Sequence, residues 1–125
     1  MKAIFVRNTR ELKYADKLAN HSKIAESRTR DTLSAVMWEE IAIIRTGSGK
    51  PMVIGYGFIG SKICVDKELF DEFFKDHCVP SGSKYDCPED GFKWLYYFDY
   101  AFTCNPYPVP KNAVRHGRVW CEWEE

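Results

Sequence analysis

The sequence has no excess of charge of either sign, since its 125 residues carry 18 Lys and Arg against 18 Asp and Glu. This balance excludes a global basic field, so a nucleic-acid partner would have to be held by a local patch. Long hydrophobic runs are also missing. The longest apolar uncharged stretch, residues 51–61, is too short to span a bilayer, and the run at residues 3–6 is too short for a signal-peptide core. We therefore expect a cytoplasmic protein with no membrane partner.

Paired cysteines of the Cys-x-x-Cys type are absent. The five cysteines are an odd number and lie far apart, at Cys64, Cys78, Cys87, Cys104 and Cys121. Without an export signal, reduced thiols are the default state. A zinc site of His77, Cys78 and Cys87 is conceivable, but its spacing matches no standard ligand pattern. The sequence therefore predicts structural thiols, and we expect neither a metal nor another cofactor.

The chain contains enough apolar residues to form the core of one domain over residues 1–125. Apolar residues make up 45% of the sequence and aromatic residues 15%, which excludes a disordered chain and a coiled coil. The apolar patterns predict strands at residues 2–6, 23–28, 40–46, 52–65, 94–102 and 119–123, and helices at residues 9–19 and 67–77. Glycines at 55, 57 and 60 allow the sharp coiling that a barrel needs. We therefore predict an α+β fold, a small mixed β-barrel of five or six strands with two or three flanking helices.

The predicted strand at residues 94–102 has an unusually aromatic face. With the two-residue period of a strand, its large rings fall on one side: Trp94, Tyr96, Phe98, Tyr100 and Phe102. Such rings can fill the interior of a small barrel, or they can stack on nucleic-acid bases. We interpret this face mainly as core.

The zero net charge hides a basic first quarter. Residues 1–30 carry eight Lys and Arg and three Asp and Glu, a net charge of +5, and the remainder carries −5. Within this quarter, Lys23, Glu26 and Arg28 lie close together in the sequence. Glu26 and Arg28 share one face of an extended segment and can pair. Lys23 has the opposite parity, so it can join them only from a loop before the strand or through a bulge.

Two readings of these charged residues stay open. Lys23, Glu26 and Arg28 can form a site, or they can be solvated charges that protect an edge strand from aggregation. A second basic cluster, Arg115 to Arg118, is a solvated loop or a phosphate-contacting edge near the first cluster.

Lys23, Glu26 and Arg28 fit the spacing of the G-x-K-x-x-E-x-R signature, and in this respect the chain resembles ASCH domains of the PUA-like superfamily. His21 stands where the signature has its glycine. The order of features is also similar over nearly the whole chain, from the first strand and helix to the Val119-Trp120 strand. The resemblance implies a barrel with a cleft beside the signature, used in this superfamily for RNA or modified nucleotides.

The resemblance leads to two hypotheses about function. In the first, the cleft binds RNA or a modified nucleotide: Lys23 and Arg28 contact phosphate, and Glu26 pairs with Arg28 or accepts from base or sugar. Arg30 widens the positive rim, while His21 and Ser22 shape the loop. In the alternative, the protein is a small amidohydrolase acting on an acylated nucleoside such as N4-acetylcytidine, with Lys23 and Glu26 catalytic. This chain has Glu26 where such ASCH-like enzymes use a threonine. A third possibility is a protein-interaction module.

Overall fold

One mixed sheet of seven strands with three small helices makes up the computed structural model, which describes residues 1–125. The strands are β1 (Lys2–Arg7), β2 (Ala25–Arg28), β3 (Glu40–Thr46), β4 (Met52–Asp66), β5 (Phe92–Pro108), β6 (Val114–His116) and β7 (Trp120–Glu122). The helices are α1 (Tyr14–Ala19), α2 (Lys67–Glu72) and α3 (Phe74–His77). Strand order in the sheet is β2-β5-β4-β3-β1-β7-β6, and only β1 and β3 run parallel. None of the helices is long and apolar enough to cross a membrane.

The α+β prediction is confirmed, but the prediction of a closed barrel is wrong, and the sheet has one or two more strands than expected. Strand β1 pairs with β3 along one side, but on its other side β7 pairs only with Lys2–Ile4, so no strand forms a ladder there with Phe5–Arg7. Strand β2 does not fill this gap, since it pairs only with β5, over four residues. The sheet stays open between β1 and β2.

The long strands β4 and β5 form the centre of the sheet, and two glycines in β4 let β5 come close. A Cβ on Gly55 would lie 2.5 Å from the carbonyl oxygen of Phe102, and one on Gly57 would lie 2.7 Å from the Phe98 ring. Real Cβ atoms do not approach that closely, so a side chain at either position would force the strands apart. Register shifts between β4 and β5 near these positions increase the local twist.

The aromatic strand is only partly core. Tyr96 and Phe98 are buried, whereas Tyr100 and Phe102 remain 40% and 46% exposed. They form a stacked pair with ring centroids 6.2 Å apart. β5 also continues through Pro106 to Pro108, beyond the end at residue 102 that the sequence pattern predicts. It can do so because β2 pairs only with its first half, which leaves one edge of the second half free of ladder bonds.

Both predicted helices are shorter than their sequence patterns. α1 begins only at Tyr14, because Thr9 and Leu12 close a separate turn before it. The N-cap residue of α1 is Lys13, and the side-chain oxygen of Asn8 accepts from the backbone N–H of Ala15 in the first turn at 2.9 Å. The predicted helix at residues 67–77 divides at Phe73 into α2 and α3.

Candidate functional site

A well-formed cleft lies where β1 and β2 fail to pair. Its volume is about 560 Å³, which is within the usual range of small-molecule sites. The Arg28 side chain crosses this gap and donates to the backbone carbonyl of Phe5 at 2.8 Å. A side-chain bond thus replaces the ladder that would have closed the sheet, and the space beside it becomes a cleft.

The turn before β2 explains how the charged cluster is assembled. His21 has a φ of 64°, in the left-handed region where glycine is favoured, and it occupies the position of the signature glycine. Ser22 stabilises the same turn, because its hydroxyl donates to the side-chain oxygen of Asn20 at 2.6 Å. After this reversal, the backbone N–H of Lys23 bonds the carbonyl of Lys17 at 3.0 Å. Lys23 therefore precedes the strand, which is how it reaches Glu26 despite the opposite parity.

Lys23 is a fully engaged cation beneath the cleft. Only 1% of the residue is exposed, although it belongs to the cleft lining. Its ammonium donates to the carbonyls of Ala25 at 2.7 Å and His77 at 2.6 Å, and lies 3.4 Å from Oε1 of Glu26. Burial lowers the pKa of Lys23, and the nearby Glu26 carboxylate opposes this effect. Since an ammonium has three donors, these three acceptors account for all of them.

Glu26 links the two signature cations. Its Oε1 faces Lys23, and its Oε2 accepts from Arg28 at 3.0 Å. Because the side chain is held from both ends, its orientation is fixed in the cleft wall. Each carboxylate oxygen has two lone-pair directions, so the group keeps acceptor capacity toward the cleft.

Four further cations line the cleft and form no salt bridge: Arg7, Lys93, Arg115 and Arg118. The three arginines are exposed at the rim, and Lys93 is buried. Desolvation lowers the pKa of Lys93, with the nearby Cys87, Glu26 and Asp86 acting in the opposite direction. Glu26 is the only acidic residue of the lining. The cleft is therefore strongly positive in a chain whose net charge is zero.

The remaining wall is aromatic and apolar. Tyr14 and Tyr85 meet edge to face with ring centroids 6.0 Å apart, and both line the cleft. Phe5 lies opposite the signature on β1, with the Arg115 guanidinium 4.7 Å from its ring centroid. Tyr85 is only half-buried, so its ring can accept a flat partner. A base or similar ring would find stacking surface here next to the cations.

Of the six residues predicted to bind a ligand, Lys23, Glu26 and Arg28 line the cleft together. His21, Ser22 and Arg30 do not line it; the first two shape the turn, and Arg30 is exposed outside the cleft. Sequence reasoning did not assign Arg7 or Lys93, because nothing in the local pattern relates them to the signature.

Of the second basic cluster, Arg115 and Arg118 face the cleft. These two arginines therefore lie near the signature, as one of the two interpretations of this cluster predicts. His116 stands apart from them, because its ring stacks on Trp120 at 4.0 Å between centroids.

Comparison with solved structures identifies the fold. The chain is similar to the crystal structure of ASCH from Zymomonas mobilis, with a TM-score of 0.68 and 18% identity over 86% of this chain and 73% of that one. A serine-to-alanine mutant of the same protein gives a TM-score of 0.73 and 17% identity over 98% and 88%. A tyrosine-to-phenylalanine mutant gives 0.63 and 17% over 87% and 77%. No family profile and no curated protein matches the sequence. The resemblance is confirmed as an ASCH-like fold, and at these identities it establishes nothing further.

Proposed function

We propose that the cleft between β1 and β2 binds RNA or a nucleotide. The observation that carries this proposal is the set of four cations without acidic partners around one cleft of about 560 Å³. Unpaired arginines at a concave surface are suited to phosphate, which they bind through two parallel hydrogen bonds. Because the net charge of the chain is zero, the overall composition does not account for the positive charge of this cleft.

The cleft also offers groups that can recognise a base. Glu26 is held in place and can accept from an exocyclic amine or a ribose 2′-hydroxyl. Tyr85 and Tyr14 provide stacking surface beside it. In this arrangement Arg28 contacts phosphate from the cleft wall and also orients Glu26. Lys23 has no free donor, so the geometry favours a positioning role for it over the phosphate contact expected from the sequence.

Salt dependence of RNA affinity tests the proposal. We expect a labelled single-stranded RNA oligonucleotide to bind with a dissociation constant that rises with salt, since phosphate contacts release counterions. Arg115→Gln and Arg118→Gln should each reduce the salt slope by roughly 0.7, the value for one phosphate contact on a single strand. Lys50→Gln is the matched control, because Lys50 is an exposed lysine outside the cleft. No measurable binding at low salt, or equal slopes in all four proteins, would overturn the proposal.

Amide hydrolysis of an acylated nucleoside is the second candidate. The observation in its favour is that Glu26 lines one cleft together with Lys23 and Lys93, two lysines whose pKa is lowered by burial. Lys23 cannot attack as a nucleophile in this geometry, because a free amine lone pair is needed and its ammonium is bound on all sides. Incubation with N4-acetylcytidine and detection of cytidine tests this candidate, and absence of turnover removes it.

A further inference from the structure

Lys93 is a buried cation that lacks sufficient partners. Only 6% of the residue is exposed, and its side chain lines the cleft. Its ammonium has one hydrogen bond, to the hydroxyl of Thr29 at 3.4 Å, and no salt bridge. Two of its three donors are thus left without a protein acceptor. Lys23 shows the contrast, since its ammonium, on a residue that is also buried, has two carbonyls and a carboxylate within 3.4 Å.

A buried ammonium with few acceptors is costly, and an incoming anion that accepts from its free donors would offset part of that cost. The neighbouring charges do not supply the missing acceptors: Glu26 is shared between Lys23 and Arg28, and Asp86 binds Lys67. Because Lys93 lines the cleft, a ligand bound there can supply acceptors to the vacant donors.

We propose that Lys93 forms the inner end of an anion subsite that takes the terminal phosphate of a nucleotide. This inference deepens the proposed function and rests on it for the nucleoside part of the ligand. A phosphate within an RNA chain carries backbone on both sides, and the exposed rim of Arg7, Arg115 and Arg118 can accommodate it. Because Lys93 is 6% exposed, a group that ends the molecule fits it better than a phosphate flanked by chain on both sides. The dianion of a phosphomonoester also offers the acceptors that both vacant donors need.

Calorimetric titration at constant ionic strength distinguishes anion binding at the buried Lys93 from anion binding at the exposed rim arginines. The probes are inorganic phosphate, cytidine and cytidine 5′-monophosphate, titrated into wild type, Lys93→Gln, Arg118→Gln and the control Lys50→Gln. We expect cytidine 5′-monophosphate to bind wild type at least tenfold more tightly than cytidine. Lys93→Gln should reduce the affinity for inorganic phosphate and for the monophosphate by about 10- to 100-fold, as for a lost charged hydrogen bond. Lys50→Gln should leave both affinities unchanged.

The outcomes distinguish this inference from the function it rests on. Phosphate affinity that is unchanged in Lys93→Gln but lost in Arg118→Gln would place the phosphate at the rim and overturn the inference. RNA binding with no monophosphate binding would overturn it while leaving the proposed function intact. Phosphate binding through Lys93, with neither nucleotide nor RNA bound more tightly than phosphate, would support the subsite and refute the proposed function.

A measurement on wild type keeps the inference testable if Lys93→Gln does not fold. In protein labelled with ¹³C-lysine, the ε-carbon resonance of Lys93 follows the ionisation of its ammonium. The titratable groups whose charges act on this ammonium are Cys87 and Asp86 from the loop before β5, and Glu26 and Arg28 from β2. Added phosphate should raise the pKa of Lys93 above its value in the free protein. A titration curve that phosphate does not move would overturn the inference.

Discussion

Replacement of Lys23 by methionine should destabilise the protein far more than its position in a binding cleft suggests. Methionine has a similar length but no donor, so the carbonyls of Ala25 and His77 and one oxygen of Glu26 would lose their partner. The Tyr14 ring, whose centroid lies 5.3 Å from the ammonium, would lose a cation–π contact as well. The folded protein would then contain two buried carbonyls without the donor they have in wild type. It would also contain a carboxylate, Glu26, whose charge is balanced only by Arg28.

The size of the effect follows from these contacts. A buried acceptor left unpaired costs about 1–3 kcal/mol, and removal of one partner from a buried ion pair costs about 3–5 kcal/mol in total. We therefore expect Lys23→Met to lower the free energy of unfolding by about 3–5 kcal/mol. A domain of this kind has roughly 5–15 kcal/mol of stability, so the variant should still fold in the absence of denaturant.

Urea unfolding followed by circular dichroism measures this change. The control is Lys62→Met, since Lys62 pairs with Asp31 at the surface and such pairs contribute about 0–1 kcal/mol. The double variant Lys23→Met with Glu26→Leu should recover part of the loss, because it removes the carboxylate oxygen that Lys23 no longer neutralises. A Lys23→Met variant within 1 kcal/mol of wild type, at an unchanged urea slope, would refute the reasoning that this ammonium is a structural tie.

Three further predictions concern other residues of the site and its support. Lys93→Met should keep or raise the free energy of unfolding in urea, because it removes a buried charge with one weak partner; a loss above about 2 kcal/mol would contradict this. His77 is buried, its Nδ1 accepts from the backbone N–H of Val79, and burial lowers its pKa below the usual 6.5, so the folded state holds the neutral ring. The contribution of His77 to the free energy of unfolding is then fully present above pH 6.5, the pKa of an unfolded histidine. It should fall as the pH drops from 6.5 to the pKa of folded His77, by up to about 1.4 kcal/mol per pH unit. Below pH 6.5 the urea midpoint should fall with pH in wild type and in His116→Gln, but not in His77→Gln. A midpoint that still falls in His77→Gln would refute the assignment of this pH dependence to His77. Finally, Tyr85→Ala should weaken binding of single-stranded RNA by about 5- to 150-fold through lost stacking, with unchanged salt slope; unchanged affinity would exclude Tyr85 as a stacking surface.

Local features of the fold were predictable because they depend on neighbours in the chain. Strand β3 has the predicted bounds, and Asp66 caps α2 by accepting from the backbone N–H of Leu69 at 2.9 Å. The division of the second helix at Phe73 was not predictable in the same way. Its apolar stripe continues through residues 69–77, and only packing against the sheet decides where the helix breaks.

Closure of the sheet was the main error, and its cause is long-range. Glycines in β4 do allow close approach and strong twist, as the sequence indicated. Whether a twisted sheet closes depends instead on which edges are free. Strand β7, more than 110 residues beyond β1 in the chain, pairs with Lys2–Ile4 alone, and β2 forms no ladder with the rest of that edge.

For the candidate site, spacing along the chain determined that Lys23, Glu26 and Arg28 could meet, because side-chain parity and a turn are properties of eight consecutive residues. Tertiary structure alone decided that Lys23 lies beneath the cleft with no free donor, and that Arg115, Arg118 and Lys93 join the signature from distant parts of the chain. Burial and charge environment arise from chain segments that no local pattern connects. The sequence therefore specified a possible cluster, and only the folded sheet established which of its cations can reach a ligand.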